Sequence, residues 1–264
     1  MARFSPVNRL SSPWAWAGAG AVLGLVVIVL WQAPARWLTG AMQYASQGRI
    51  SFEQVRGTVW RGSGRVTLTG GAGSLEAATL PGRLSWQLRP TPTGVVADLA
   101  AECCTQAPWH LVVQARWNGA RLVMADSLSQ WPAQWLSGLG TPWNTIQPEG
   151  QLQLSTQGLV LEWAAGRTQF TGRAQLDAQN MSSRLSTLKP MGSYRLILQG
   201  GDAPGFSLET LEGSLLLSGQ GQWVGTRLRF QGEARAAPDR LEALSNLLNI
   251  VGRRDGARSV ITLG

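Results

Sequence analysis

The chain has 264 residues, enough for one large all-β domain or two smaller domains with a hydrophobic core. Charged residues make up only 14%, against about 25% in ordinary soluble domains, and 32 glycines and 13 tryptophans fill the difference, a composition typical of short strands and tight turns. The net charge of +8 comes almost entirely from arginines scattered singly along the chain, which argues against a clustered surface for nucleic acid.

The first predicted element is a transmembrane helix over residues 14–32, preceded by a cytoplasmic tail at 1–13. No charged residue occurs from Trp14 to Trp31. At about 1.5 Å per residue this stretch spans roughly 27 Å, close to the ~30 Å hydrocarbon core of a bilayer. The tryptophans at its two ends resemble the aromatic belts found at membrane interfaces. We therefore expect a single-pass anchor in the inner membrane, in contact with membrane lipid.

A cleavable signal peptide is the alternative for this segment. Its candidate cleavage site, at residues 33–35, contains a proline next to bulky Trp31, so retention as an anchor is favoured. Arginines lie on both sides of the helix, so the positive-inside rule does not determine its orientation. The short tail before the helix is therefore the reason for placing the amino terminus in the cytoplasm. Within the helix, Gly20 and Gly24 form a small-xxx-small pair that suits close packing against another helix, although such glycines are also common in this composition.

After the helix we predict a membrane-proximal helical linker at 33–49 and a periplasmic β-rich domain at 50–264. The hydrophobic pattern of this domain has a period of two, and no long amphipathic helix joins one strand to the next. Asn118-Gly119 is a signal for a type I′ hairpin turn. The predicted fold is therefore mainly β, a curved and largely antiparallel sheet built from repeated hairpins, with short helices. The clearest strand patterns lie at 66–69, 84–88, 111–117, 120–124, 152–154, 168–170, 173–176, 194–198, 214–217 and 227–230.

Helical patterns are confined to short pieces. They lie at 34–46, at Leu128–Leu139 with its interruption at Pro132, and at 239–251, where Asp239 is a suitable N-cap.

Two stretches, 150–176 and 212–235, share a strand that starts with glycine and a later Phe-x-Gly-x-Ala sequence. They predict two hairpins that superpose. The large indole rings of Trp60 and Trp86 should pack against the sheet.

Residues with chemical potential are few. His110 is the only histidine, which removes most catalytic triads and any multi-histidine metal site. The carboxylates are spread out, with no paired spacing suited to metal or sugar chemistry. Cys103 and Cys104 are adjacent and could form a strained vicinal disulfide, bridge to a partner, or remain free, with a structural role favoured. We predict no catalytic residue, cofactor or metal, and hence no enzyme.

Short motifs along nearly the whole chain resemble the protein N family of the type II secretion system. The motifs are 34–38, 57–62, 80–86, 144–152, 190–194 and 247–254. Their characteristic positions are glycine, proline, tryptophan and asparagine at turns: Gly57, Trp60, Gly62, Pro148, Gly150, Asn249 and Gly252. The resemblance implies structural rather than catalytic positions. It also implies a role in exporting folded periplasmic proteins, with the platform proteins C, L and M and the outer-membrane secretin as partners.

A second resemblance is to bridging lipid-transfer proteins of the AsmA type, which are also anchored in the membrane and built from repeated hairpins. Such a protein needs a continuous apolar groove. Consecutive apolar residues at 196–198 and 215–217 are compatible with a sheet covered on both faces. This resemblance implies lipid transfer or envelope maintenance as the alternative function.

Overall fold

A computed structural model of the chain describes residues 14–71, 73–74, 76–164, 166–224 and 227–263. The predicted cytoplasmic tail, residues 1–13, lies outside the described residues. The helices are α1 (Trp14–Trp31), α2 (Ala35–Ala45), a 3₁₀ helix (Ala133–Leu139), α3 (Trp143–Ile146) and α4 (Leu241–Val251). The strands are β1 (Ile50–Gly57), β2 (Arg61–Thr69), β3 (Ala77–Thr79), β4 (Leu84–Thr91), β5 (Gly94–Ala101), β6 (Trp109–Arg116), β7 (Gly119–Met124), β8 (Ser127–Pro132), β9 (Glu149–Ala164), β10 (Arg167–Ser182), β11 (Gly192–Gln199), β12 (Gly205–Gly213), β13 (Leu215–Val224), β14 (Arg227–Ala236), β15 (Arg253–Asp255) and β16 (Arg258–Leu263).

The described strands form one sheet, and their pairings are antiparallel. The strand order is β1-β2-β4-β5-β6-β7-β9-β10-β11-β12-β13-β14-β16-β15, with β3 beside β2 and β8 beside β9. Almost every strand therefore pairs with its neighbour in sequence, as expected where hairpins rather than helical crossovers connect the strands. The mainly β, antiparallel prediction is confirmed. The path ends at β1 and β15, so the sheet is open.

The alternating strand directions place the turns on two opposite edges of the sheet. The β1–β2, β4–β5, β6–β7 and β9–β10 turns lie on one edge, which we call the first rim. Helix α2 packs along β1 and returns the chain to the opposite edge, where β1 starts at Ile50. The end of α1 consequently lies at the first rim.

Two hydrophobic cores lie on the same face of the sheet, as the strand register shows when it is followed from pair to pair. We call it the apolar face. The first core, near the start of the sheet, contains the buried residues Val66, Leu80, Ala101 and Cys104. In the second, α4 covers β14 and β16 with Leu244, Leu247 and Leu248. Burial of these side chains is the main term that holds the end of the sheet together.

The membrane prediction has a mixed outcome. Residues 14–31 do form a helix, and its described apolar side chains from Val22 to Trp31 are exposed. Within the described part of the chain, however, no helix has both the length and the apolar composition that crossing a membrane requires. The transmembrane span at 14–32 is not confirmed and stays a prediction.

The helix predicted at Leu128–Leu139 is wrong. Residues 127–132 form strand β8, which pairs with β9 from Ser127↔Thr156 to Pro132↔Gln151, and only the residues after Pro132 turn into the 3₁₀ helix. Strand pairing outweighs the helical spacing of the two tryptophans here. Trp131 and Trp135 still contact each other, since their rings stack with centroids 5.5 Å apart across the junction of the two elements.

The helix predicted behind Asp239 exists, but it starts later than expected. It begins at Leu241, and Arg240 occupies the N-cap position without a side-chain cap bond. Asp239 has φ +64°, in the left-handed region, so it belongs to the turn before the helix and does not cap it.

The predicted Asn118-Gly119 turn is displaced by one residue. Arg116 pairs with Gly119, so the two turn residues are Trp117 and Asn118. Neither has a positive φ, and the turn is therefore not type I′. The strand pattern located this hairpin correctly, but the turn chemistry did not fix its register.

The two echoing stretches both form hairpins, yet they do not match in register. Ser155 pairs with Gln175, whereas Ser218, its counterpart in the repeat, pairs with Glu233. The first hairpin has sixteen residues in each strand and a β-bulge beside Gly172, and the second has ten. The predicted superposition is wrong because the bulge and the longer strands change the pairing.

Candidate functional site: the junction between α1 and the sheet

The motif at residues 57–62 forms the turn between β1 and β2. Gly57 pairs with Gly62, and the Thr58 and Arg61 backbones bond across the turn, with Thr58 N donating to Arg61 O at 2.9 Å. The Thr58 hydroxyl also accepts a hydrogen bond from the Arg61 amide at 3.2 Å. These bonds satisfy the polar groups of the turn locally and make it compact.

Both glycines of this turn are required by close approach. Gly57 has φ +89°, and a Cβ at this position would lie 2.3 Å from Arg61 O. A Cβ on Gly62 would lie 2.5 Å from the Trp86 ring. Trp86 itself is buried, as predicted, and its indole donates to Val59 O at 3.0 Å. The turn therefore packs so closely on itself and on the buried Trp86 that only glycine fits at positions 57 and 62.

The same turn holds the chain segment that leaves α1. The Trp60 indole donates to Leu30 O at 2.8 Å, and Val59 N donates to Ala33 O at 2.8 Å. Pro34 forms an isolated antiparallel bridge with Thr58. Trp60 is only half buried, less than predicted, because its ring lies over the end of α1.

Two alanines beside this contact are buried, one between α1 and α2 and one at the start of α2. Ala33 is 4% exposed and Ala35 is 2% exposed, values otherwise typical of the sheet cores. The turn is thus bonded to one backbone carbonyl in the last turn of α1, at Leu30, and to one just after the helix, at Ala33. The arrangement fixes the end of the helix against the first rim of the sheet, and it offers positioning rather than bond-making chemistry.

The other motif residues lie elsewhere in the sheet. Pro148 is buried, and Gly150, φ +137°, leads into β9 where a Cβ would lie 2.7 Å from Gln179 O. Asn249 is exposed on α4, and Gly252 ends that helix in extended backbone with Val260 O 2.5 Å from an added Cβ. The structure does not gather these positions into one site with Trp60.

The protein family model described as "Type II secretion system (T2SS), protein N" matches residues 48–261. The chain belongs to this family. The match begins just before β1 and ends within β16, so it covers nearly the whole sheet. No curated protein and no solved structure matches the chain. In this member of the protein N family, Gly57 and Gly62 allow the tight turn that contacts the end of α1, a segment that precedes the matched residues.

Two further predictions on this family member are not tested. Gly20 and Gly24 lie on α1 with no described atom within 4 Å of an added Cβ, so their role in helix packing stays a prediction.

Cys103 and Cys104 are joined by a disulfide in the turn after β5. Cys104 is buried in the first core, and its carbonyl accepts a hydrogen bond from Gln130 N at 2.8 Å. The structural role predicted for the pair is consistent with this position.

Charged groups in the sheet form cross-strand pairs. On β10 and β11, Arg195 binds both carboxylate oxygens of Asp177, at 2.8 and 3.0 Å. This hydrogen bonding, more than any other influence, holds the pKa of Asp177 below its ordinary value. On β5 and β6, Asp98 accepts from His110 at 2.7 Å and also pairs with Arg89, and its pKa is lowered as well. Among the described residues, no three His, Cys, Asp or Glu side chains approach closely enough to hold a metal.

The Asp177–Arg195 pair predicts a pH dependence of stability. A carboxyl group whose pKa is lowered in the folded state stabilises the fold above its unfolded pKa of about 4, and this contribution is lost as pH falls through the lower folded value. Asp177→Asn should therefore reduce the free energy of unfolding at pH 7 by about 1 kcal/mol, and the difference from the parent should shrink by pH 3. Urea unfolding in mild detergent at both pH values measures it, with exposed Asp202→Asn as the control. Equal effects of the two substitutions at pH 7 would contradict the prediction.

Sequence reasoning missed the contacts that make this junction. Trp60 was recognisable as a large aromatic in a glycine-bounded motif, but its partner is a backbone carbonyl thirty positions earlier. Carbonyls carry no sequence signal. The available clue was the pair of glycines five positions apart, Gly57 and Gly62, at the two ends of a tight turn. Such a pair indicates that other atoms approach the backbone closely, but it does not identify those atoms.

Proposed function

We propose that this chain is a non-enzymatic component of the inner-membrane platform of the type II secretion system. Membership of the protein N family, over residues 48–261, supports a part in type II secretion and is the observation that carries the proposal. The family's name is that of a component of a secretion apparatus. The position in the platform, the compartment and the partners below are our proposals.

Membrane anchorage through residues 14–32 is supported by the sequence and by exposure. The described apolar side chains of α1 are not covered by any other described part of the chain. An exposed apolar surface of this kind marks a site of contact with protein or lipid. Eighteen residues are slightly fewer than the usual twenty of a membrane span. Local thinning of the bilayer accommodates such a helix at modest cost.

We place the sheet in the periplasm. A disulfide such as Cys103–Cys104 is typical of oxidising compartments. The partners we propose are platform proteins C, L and M and the outer-membrane secretin, as the family implies. The junction around Trp60 supports a scaffolding role, because it ties the helix end firmly to the sheet and leaves the rest of the sheet free for contacts.

Deletion of the gene tests the proposal. Folded substrate enzymes should accumulate in the periplasm, or the platform proteins should be destabilised, while the lipids of the envelope stay unchanged. The chain supplied in trans should restore secretion. Normal secretion together with altered outer-membrane permeability would contradict the proposal and favour the lipid-transfer alternative.

Fractionation of the same cells tests the compartment separately. The chain should resist alkaline extraction from the inner membrane, and a reporter active only in the periplasm, fused after Gly264, should be active. A chain released by alkali, or an inactive reporter with an active cytoplasmic one, would contradict the anchor or its orientation.

A further inference from the structure

The disulfide between Cys103 and Cys104 differs from an ordinary cross-link because its two residues are neighbours in the chain. Their Cα atoms are joined by one peptide unit and lie 3.7 Å apart, whereas most disulfides join Cα atoms about 4.4–6.8 Å apart. A disulfide stabilises a fold mainly by closing a loop in the unfolded chain, and this one closes nothing longer than a single peptide unit. Its contribution to stability is therefore small.

Hydrogen bonds hold the same turn without help from the sulfur atoms. The Ala101 carbonyl accepts from the backbone N–H groups of Cys104 and Thr105, each at 3.0 Å. The Thr105 hydroxyl accepts from Ala101 N at 2.9 Å, and the Cys104 carbonyl accepts from Gln130 N at 2.8 Å. None of these bonds uses a sulfur atom, so the polar groups of the turn stay paired when the S–S bond opens.

The two cysteines differ in their exposure to solvent. Cys104 is 5% exposed and belongs to the first core. Cys103 is exposed, as are its neighbour Glu102 and residues 106–108, which lead into β6. A thiolate opens a disulfide by attacking one sulfur from the side opposite the other sulfur, so access decides which sulfur reacts. Of the two sulfur atoms, that of Cys103 offers such access.

We propose that Cys103–Cys104 is a site of thiol–disulfide exchange, and that its partner is a protein with two neighbouring thiols. A partner thiolate attacks the sulfur of Cys103 and forms a mixed disulfide with it, while the bond between the Cys103 and Cys104 sulfurs breaks. The Cys104 sulfur leaves with the bonding electron pair and takes up a proton, because a charged sulfur is costly in an apolar core. The neutral thiol then packs there as a small apolar side chain.

The second thiol of the partner completes the exchange. As a thiolate it attacks the partner's own sulfur in the mixed disulfide, and the Cys103 sulfur leaves and takes up a proton. The partner has then given up two electrons and two protons and become a disulfide, and this chain holds two thiols. A partner with one thiol is expelled instead, because the neighbouring Cys104 sulfur attacks the mixed disulfide and closes the ring again. Complete reduction therefore requires two thiols in the partner.

The exchange site uses only the turn after β5, so its test is separate from those of the secretion role and the anchor. The full chain in mild detergent is mixed with reduced glutathione, and samples taken at short times are capped with N-ethylmaleimide. Fragmentation between the two cysteines in a mass spectrometer then locates both groups. Glutathione should lie on Cys103 and the maleimide on Cys104, with at least about a tenfold preference, because access to the buried sulfur is blocked.

The same reaction in urea is the matched control. Unfolding exposes both sulfurs, so the preference for Cys103 should disappear. Dithiothreitol, which has two thiols, should reduce the folded chain without accumulation of a mixed disulfide. The double variant Cys103→Ser with Cys104→Ala should take up neither glutathione nor the maleimide, since the sequence has no other cysteine.

Stability provides the second measurement. The urea midpoint of the reduced chain should stay close to that of the oxidised chain, whereas Thr105→Val, which removes a hydroxyl that holds the turn, should lower it. Three results would overturn the exchange site: equal reaction of both sulfurs in the folded chain, reaction with thiols in urea but not in the folded chain, or a larger loss of stability on reduction than in Thr105→Val. The first two are measured on the unsubstituted chain, so they decide the matter even if a variant folds poorly.

Discussion

Gly57→Ala is expected to lower the free energy of unfolding by about 3 kcal/mol or more. The left-handed φ of +89° costs an alanine about 1–2 kcal/mol by itself. The added Cβ would also lie 2.3 Å from Arg61 O, a backbone atom that cannot move without opening the turn. Opening the turn breaks the hydrogen bonds from Val59 and Trp60 to the segment after α1. Urea unfolding in detergent measures the loss.

Gly73→Ala is the matched control for this prediction. Gly73 has nearly the same φ, +84°, but no atom lies within 4 Å of an added Cβ. Its substitution should cost only the same backbone term, about 1–2 kcal/mol. Trypsin cleavage after Arg36 should accelerate in Gly57→Ala and not in Gly73→Ala, because only the first releases the buried residues around Ala35. Equal stability losses would mean that close approach at the junction contributes nothing.

Leu248→Ala is expected to have a comparable effect at the other end of the sheet, about 3 kcal/mol. Leu248 is 0% exposed in the core between α4 and the sheet, and its carbonyl accepts a hydrogen bond from buried Ser259 at 2.6 Å. Truncation of a fully buried leucine costs about 2–5 kcal/mol, since a cavity remains where the side chain packed. The same unfolding measurement, followed by tryptophan fluorescence, detects it.

Ile250→Ala on the same helix provides the comparison. Ile250 is 45% exposed, so its truncation should change stability by no more than about 0.5 kcal/mol. If both substitutions destabilised the chain equally, burial of Leu248 against the sheet would not be the reason for its contribution. If neither did, α4 would not contribute to the stability of the sheet.

The sheet could be predicted because its information is local. Alternation of apolar and polar residues marks strands such as β6 and β7, and the absence of long helices between strands leaves only antiparallel pairing. The buried state of Trp86 followed from the size of its ring. These features depend on residues that are near one another in the chain.

The errors occurred where tertiary contacts override a local signal. Strand β8 was read as helix because Trp131 and Trp135 have helical spacing, but pairing with β9 determines that segment. Asp239 is of a residue type that caps helices well. Its backbone, however, lies in the left-handed region, and the N-cap position is taken by the next residue, Arg240. The register of the first echoing hairpin depends on a bulge at Gly172. In the sequence this position is only one glycine among many, and nothing distinguishes it as a bulge.

For the candidate site, the sequence indicated the residues without their partners. Gly57, Trp60 and Gly62 stood out as a motif and proved to form one turn, but its contacts with Leu30 and Ala33 involve backbone atoms. The apolar face was equally hidden, because it appears only when the register of several strands is combined. No single strand shows it.

The sequential strand order has a consequence for how the chain folds. From β1 to β14, nearly every strand finds its partner in the strand that was synthesised just before it, so few long loops must close before pairing begins. A chain that emerges from the ribosome in sequence order can therefore add one hairpin at a time to a growing sheet. Two strands on this path skip one strand, since β4 pairs with β2 and β9 with β7. The largest departure is the last piece, because β16 must reach back past β15 and α4 to β14. We expect the segment from α4 onward to be the last to become protected from hydrogen exchange.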